Sequence, residues 1–514
     1  MVGYGVDGIE NRRDPFYWQV NANLNFQIYG MSIPLSASFS QQDRSFTQPF
    51  NQIGLSPKYK SVTTHLGYRN MNFSTYTLGG LTFLGVGVEV APEDYWISGG
   101  AMWGRLQRAV PQGGRDGTVI GIAAYERWGY ASKIKLGTKK SNFDFIFFHG
   151  KDDASSIPDS ASTSELKPGE NLVWGINTHQ EVSKKVKFNL EYAFSAYTDD
   201  IRNEDVILES FSYYNNLGGI FSPNSTTQFN KAIKTDLQYK ADKYNLKLTY
   251  RRIDPDYKTM GAPFLNNDLE DIAGNIAWQM MKKKINVAVA GGFQRNNLDK
   301  SQLQRVVRVI SSLNLSYAAT EKLNFTSSVS NYNTSSNQVQ FLQIDSLKYF
   351  QVTRSAGFGS SYRYGKKDVS QTLIFNSNWQ GAQDSQDNGS QVINLNLGHQ
   401  LGFTKQHFTL GTSMNFNNSQ FGDFNNNSYG PTISLSKKQF KQKLNQTFAF
   451  SWLNTLSEGT RISNTSNIRA SSSYRYKKNH SFSLNLIYLA QNSFQENGRQ
   501  YKEYRATLQY SYQF

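Results

Sequence analysis

The sequence contains no cysteine. That excludes disulfides, cysteine-ligated zinc, iron–sulfur clusters and thiol catalysis, and it leaves the redox compartment open. Histidine is almost as scarce, at six: His65, His149, His179, His399, His407 and His480. None is spaced like a metal-binding His-x-x-x-His pair. His399 and His407 alone are near neighbours, and strand parity sends them to opposite faces, so neither a metal nor any other cofactor is expected. No Ser/His or Asp/His constellation can be assembled either, and the chain reads as a non-enzyme. Long apolar runs are missing too, and none approaches the ~20 residues that a membrane helix needs. Acidic residues are outnumbered, 39 Asp and Glu against 54 Lys and Arg, for a net charge of +15. The basic residues are spread along the chain instead of forming a stripe, which argues against a nucleic-acid partner.

What the chain has in quantity is aromatic residues, 14% of the total with 30 Tyr and 34 Phe, inside a sequence of negative mean hydropathy. Alternation reconciles the two. From Trp18 through Val20, Ala22, Leu24, Phe26 and Ile28 every even residue is apolar and every odd one is Gln or Asn. Tyr29-Gly30 then turns the chain into Met31, Ile33, Leu35, Ala37 and Phe39, which predicts a hairpin. The stretch 505–514 repeats the pattern, with Ala506, Leu508, Tyr510, Tyr512 and Phe514 on one parity and Arg505, Thr507, Gln509, Ser511 and Gln513 on the other. A strand of this kind presents one wholly apolar face.

From residue 138 onward short lysine-bearing turns recur about every forty residues. Examples are Thr138-Lys139-Lys140-Ser141, Lys282-Lys283-Lys284, Gly365-Lys366-Lys367-Asp368, Lys437-Lys438-Gln439 and Lys477-Lys478-Asn479. Longer polar segments alternate with them, at 151–171, 198–226, 254–268, 381–389 and 417–427. Short turns on one side and long loops on the other give an all-β, up-and-down antiparallel barrel. It should hold about 24 strands, within about 22 to 26, because each spanning strand needs only interleaved apolar residues and bacterial barrels are even-numbered. The chain reads as one domain, 1–514, with 41–82 a candidate fold-in loop or plug.

The polar parity carries Lys133, Lys135, Lys187, Lys234, Lys247, Arg308, Arg469, Arg475 and Arg505, against Asp144, Glu191 and Asp236. A lumen so lined is wet and mildly basic. It would favour anionic or uncharged polar solutes, unless these charges are spent in salt bridges across the wall. The loop Gly113-Gly114-Arg115-Asp116-Gly117 lacks the ending of a phosphate loop and reads as a turn. Asp152-Asp153 and Asp199-Asp200 lack the spacing of a calcium loop. A barrel of this size would leak if empty, so a plug is expected from 41–82, from the loops 151–171 or 198–226, or from a partner protein.

The closing stretch resembles the assembly signal of Gram-negative outer-membrane β-barrels at Tyr510, Tyr512 and Phe514. The Tyr/Phe/Asn-rich strands, the lysine turns and Pro49-Phe50-Asn51-Gln52-x-Gly54-Leu55-Ser56-Pro57 resemble large barrels of the Bacteroidota kind. The resemblance implies residence in the cell outer membrane and contact with its lipid. It also implies recognition by the barrel-assembly machinery, periplasmic lysine turns and outward-facing long loops. The chain opens without a basic and then apolar leader, so the export signal is expected to have been removed. Two functions follow as expectations: a channel or translocation pore for polar solutes or polypeptides, or a structural barrel subunit of a secretion, assembly or surface-anchoring complex.

Overall fold

Period-two alternation puts successive side chains on opposite faces of a strand, and the sheet that results here closes on itself. The computed structural model describes residues 1–9, 14–41, 47–93, 95–111, 123–158, 166–217, 219–338, 349–477, 479–496 and 498–512. The strand segments are β1 Val2–Asp7, β2 Phe16–Tyr17, β3 Gln19–Ile28, β4 Met31–Ser40, β5 Gln52–Leu55, β6 Lys58–Tyr59, β7 Val62–Asn70, β8 Thr82–Val90, β9 Ile97–Gln107 and β10 Glu126–Gly137. They continue as β11 Ser141–Asp153, β12 Glu170–Glu181, β13 Val186–Thr198, β14 Thr227–Lys240, β15 Tyr244–Ile253, β16 Leu269–Met280, β17 Ile285–Arg295, β18 Gln304–Ala318 and β19 Leu323–Gln338. The last nine are β20 Tyr349–Gly365, β21 Val369–Asp384, β22 Gly389–Phe403, β23 Phe408–Phe421, β24 Phe424–Gln439, β25 Leu444–Ser457, β26 Thr460–Tyr476, β27 His480–Ser493 and β28 Tyr501–Tyr512.

All pairings are antiparallel between chain neighbours, and β28 pairs with β1 from Val2 opposite Thr507 to Asp7 opposite Lys502. The Met1 amino group adds a hydrogen bond to the Leu508 carbonyl at 3.0 Å. Two strands are interrupted. β2 runs into β3 past Trp18, whose carbonyl accepts from Gln41 N at 3.3 Å. β5 runs into β6 past Ser56-Pro57, and both lie along β4. Pro57 has no N–H to give the ladder. With each interrupted strand counted once, the twenty-eight segments make twenty-six staves, an even number at the top of the expected range. The extra strands come from 1–82, where alternation is weakest.

The outward parity is apolar and exposed, as at Val86, Trp103, Phe145, Leu248, Ile276, Leu397 and Leu486. The lysine-bearing turns gather at one end, where Glu181 N reaches Lys140 O at 2.8 Å and Lys240 N reaches Lys185 O at 2.7 Å. Three expectations need correction. The segment 417–427 is not a loop, because β23 and β24 extend through it to a tight turn at Gly422-Asp423, with Phe421 opposite Phe424. Most of 381–389 is likewise strand, with β21 reaching Asp384 and β22 starting at Gly389. Lys437-Lys438-Gln439 belongs to β24, and the turn lies just beyond it at Phe440-Lys441-Gln442, all at positive φ. Asn and Ser favour turns locally, but here they form cross-strand amide pairs such as Asn418 with Asn425 at 2.7 Å.

Candidate functional site: the lumen and its inward-folded loops

The fold-in candidate 41–82 divides in two. Residues 42–46 lie outside the described residues, and β5, β6 and β7 form wall. The rest, 71–81, leaves the wall at the long-loop end and turns into the lumen. Its apolar residues do not alternate, so they cannot share one strand face: Met71, Phe73, Tyr76 and Leu78 are all buried. The Phe73 and Ser74 N–H groups donate to the Leu78 carbonyl at 2.9 and 3.3 Å and close the loop.

The connection 254–268, between β15 and β16, also turns inward and packs against it. Tyr257 Oη donates to the Tyr76 carbonyl at 2.5 Å, and the two rings meet edge to face, 6.4 Å between centroids. Thr259 Oγ1 donates to the Thr77 carbonyl at 2.8 Å and Gly79 N to the Gly261 carbonyl at 3.1 Å. Burial pushes both tyrosine hydroxyls well above their ordinary pKa, so both stay neutral and Tyr257 keeps the proton it donates. Burial pulls Lys258 down, but its hydrogen bond to Asp199 at 3.0 Å, together with the charges of Asp199, Tyr197 and Asp256, outweighs that and holds the ammonium above its usual value.

The seat for these loops is built into the inner parity of the wall. Met260 N donates to Asn171 Oδ1 at 3.0 Å, and Asn171 Nδ2 is fixed by Ser195 Oγ at 2.8 Å. Thr75 N donates to Glu191 at 2.6 Å, and Lys133 Nζ stands 5.4 Å from the Phe73 ring centroid. Glycines clear the space. A Cβ at Gly175 would stand 3.1 Å from Thr77 Cγ2, and one at Gly150 would stand 3.2 Å from Met260 Cβ. Beside the seat, Arg127 holds Asp152 through two hydrogen bonds, at 2.7 and 3.0 Å.

The nine basic residues proposed for the lumen all fall on the inner parity, in four environments. Lys187 pairs with Glu181 at 2.5 Å, and Lys234 and Lys247 share Asp236 at 3.9 and 3.3 Å. Lys133 and Lys135 line a pocket of about 650 Å³ near the lysine-turn end, together with Lys58, Lys60, Glu89 and Glu93. Arg308 donates to Gln294 at 2.9 Å. Arg469, Arg475 and Arg505 have no ion pair among the described residues, and Arg469 and Arg505 both stand opposite Ile487.

Tyr510 and Tyr512 lie at the outer edge of β28 around His480, with Tyr510 Oη 2.8 Å from His480 Nδ1. Phe514 and the loop Gly113–Gly117 lie outside the described residues. His399 meets Tyr364 Oη at 3.1 Å and Gln371 at 3.2 Å, whereas His407 occupies a turn. Asp152 binds Arg127, Asp199 binds Lys258 and Asp200 binds Arg202. The familiar Pro49–Pro57 stretch serves local architecture, with Asn51 Oδ1 accepting from Ser40 N at 2.7 Å and Ser56 Oγ meeting His65 Nδ1 at 2.9 Å.

The loop after β13 behaves differently from the lumen loops. It lies against the outward face, where Tyr214 and Phe221 bury Phe194 and pack with Trp174 and Phe229. A short 3-10 turn, Ser212–Asn216, follows Phe211, whose φ of 60° starts the fold-back.

Across the lumen from the seat, the inner parity of β17 to β24 forms an open trough of about 980 Å³. Apolar residues such as Ala277, Ala288 and Leu453 line part of it, and its inner-parity residues are mostly asparagine, serine, threonine and glycine. Sequence reading placed these residues on the polar face but assigned them nothing, because they are scattered over more than a hundred residues and meet only through register.

No protein-family model matches the chain, and no curated protein matches it. Among solved structures, the chain is similar to Acinetobacter baumannii OccAB1, at 9% identity over 73% of this chain and 97% of that one, with a TM-score of 0.36. It is also similar to Pseudomonas aeruginosa OpdK, solved with vanillate, at 6% identity over 72% and 96%, with a TM-score of 0.34. A bacterial polysaccharide outer membrane secretin matches at 9% identity over 76% and 91%, with a TM-score of 0.27. At such identities and TM-scores this chain's own residues must carry its function.

Proposed function

We propose that this chain spans the outer membrane as a channel for polar solutes, with the loops 71–81 and 254–268 narrowing one flank of the lumen. The observation that carries the reading is the pairing of faces in β17 to β24: apolar and exposed outside, polar inside with only a few charges such as Arg308, and no buried apolar cluster covering the inner side among the described residues. Closed barrels satisfy every backbone group internally, which is what a lipid environment demands. The lysine turns then face the periplasm, where they solvate the turns and can meet anionic headgroups. The lysine turns and Asn/Tyr-rich strands support membership among the Bacteroidota type of barrel, and β28 supplies the strand for recognition by the assembly machinery.

Planar-bilayer recording with the purified chain tests the channel. Stepwise, steady conductance is the expected result, and electrical silence at verified insertion would overturn it. Charge selectivity should lean modestly toward anions, because carboxylates neutralise Lys187, Lys234 and Lys247 whereas Arg469, Arg475 and Arg505 have no ion pair among the described residues.

A second reading, a barrel subunit of a secretion or anchoring complex, is favoured by the 199–226 loop. Ile207, Tyr213 and Ile220 on it stay exposed beside the buried aromatic cluster. Such a subunit would hold a partner at this loop, and a polypeptide would be its natural cargo.

A further inference from the structure

We propose that the trough on β17 to β24 is a binding track for an uncharged polyhydroxylated chain, a neutral glycan segment; this deepens the channel reading and rests on it. Register brings the track together. In one ring around the wall Asn314 faces Ser328, Ser328 faces Gly357, Gly357 faces Asn378, Asn378 faces Asn394 and Asn394 faces Asn417. One inward step below, Thr326 faces Gly359, Gly359 faces Asn376, Asn376 faces Asn396 and Asn396 faces Asn415. Neither ring holds a charged residue over these strands.

The amides are only partly used by the wall. Asn396 donates to Asn415 at 2.7 Å, Asn415 donates onward to Thr432 Oγ1 at 3.1 Å and the Gly430 carbonyl at 3.5 Å, and Asn417 donates to Asn394 at 2.5 Å, which leaves both N–H groups of Asn394 and one each of Asn396 and Asn417 for a ligand. The side chains of Asn314, Asn376 and Asn378 bond to no other described residue, and Gly357 and Gly359 give room to their neighbours, since a Cβ there would stand 2.7 Å from Ser328 Oγ and 3.1 Å from Asn376 Oδ1 respectively. A side-chain amide donates and accepts at once, which matches a pair of adjacent sugar hydroxyls that must do the same. Strands lie about 4.8 Å apart, so a chain lying across β21, β22 and β23 meets a new amide at each of these strands.

An apolar shelf lies above the rings, where inward-facing Tyr332 stands opposite Ile310, both partly exposed. Such a shelf suits the C–H face of a pyranose. A phosphate-bearing or nucleic-acid chain would need lysine or arginine at each step, and the rings supply none.

The test is bilayer recording on the full chain with a linear neutral glucan oligosaccharide, alongside binding of the same oligosaccharide to detergent-solubilised protein by calorimetry. Brief, concentration-dependent interruptions of the open current are expected. The variant Asn376→Ala/Asn378→Ala/Asn396→Ala should shorten them by about tenfold or more, since each lost hydrogen bond weakens the complex severalfold. Heat-modifiable gel mobility confirms that the variant folds. Steady salt conductance with neither interruption nor calorimetric binding overturns the glycan track and leaves the channel standing. Absence of conductance overturns the channel, and calorimetry then decides the track alone. A neutral Gly/Ser peptide of equal length that blocks as well as the glucan, or better, also overturns the track, in favour of a polypeptide.

Discussion

Gly261 is where two inward loops touch through their backbones, and it shows how little space the seat leaves. A Cβ on it would stand 2.3 Å from the Thr77 carbonyl oxygen and 3.0 Å from Leu78 Cα, and neither is a side-chain tip that could swing aside. Gly261→Val should therefore cost about 1–3 kcal/mol at the junction and part the two loops without touching a strand. The expected outcome is faster proteolysis within 71–81 and a larger unitary conductance, at unchanged heat-modifiable mobility. Tyr257→Phe keeps the ring against Tyr76 and removes one hydrogen bond, about 1 kcal/mol, and should leave both loops seated. If Gly261→Val gives wild-type conductance and protection, the loops do not narrow the path.

At the scale of the element, the long connections divide by the face they cover. The 254–268 loop enters the lumen, but the 199–226 loop folds down outside, because its Tyr214 and Phe221 find the aromatic outward residues Phe194, Trp174 and Phe229. Asn215 holds the fold-back, accepting from Leu208 N at 2.9 Å and donating to its carbonyl at 2.8 Å. Tyr214→Ala removes a nearly fully buried ring, worth about 3–5 kcal/mol by analogy with other aromatic truncations. That exceeds what an isolated surface loop can spare. Limited proteolysis should then cut within 199–226 while the strands stay protected, and equal protection in the variant would show that the cap is held by something else.

The sequence made strands legible and loops opaque for the same reason. A strand declares itself by parity over ten residues, as 18–28 does. The inward path of 71–81 instead depends on which distant residues have no Cβ, such as Gly87 and Gly175. The asparagine rings were half legible. Each Asn stands on the polar parity of its own strand, but the ring exists only once Asn376, Asn396 and Asn415 are placed in register. The misread 417–427 segment has the opposite cause: a turn-like composition stabilised as a strand by amide pairing across the hairpin.

At the scale of the molecule, everything rests on the seam between β1 and β28. Twenty-six staves spaced about 4.8 Å and tilted about 40° enclose, as a circular outline, a cylinder on the order of 50 Å across. An open seam would leave two unpaired edges in the membrane, each exposing backbone groups that lipid cannot satisfy. The pairing spans only six residues of β1, the shortest of the unbroken staves. The absence of cysteine makes the seam directly testable, because any pair introduced has no competitor. Gly3 stands opposite Ala506, and a Cβ at Gly3 meets nothing within 4 Å. Directly opposed antiparallel residues lie about 4.5–5.5 Å apart at Cα, within reach of a disulfide. Gly3→Cys/Ala506→Cys should therefore oxidise readily in the folded barrel. After proteolysis in a loop such as 199–226, the two fragments should migrate together without reductant and separate with it. Free, alkylatable thiols at both positions in the folded protein would show that β1 does not close the wall.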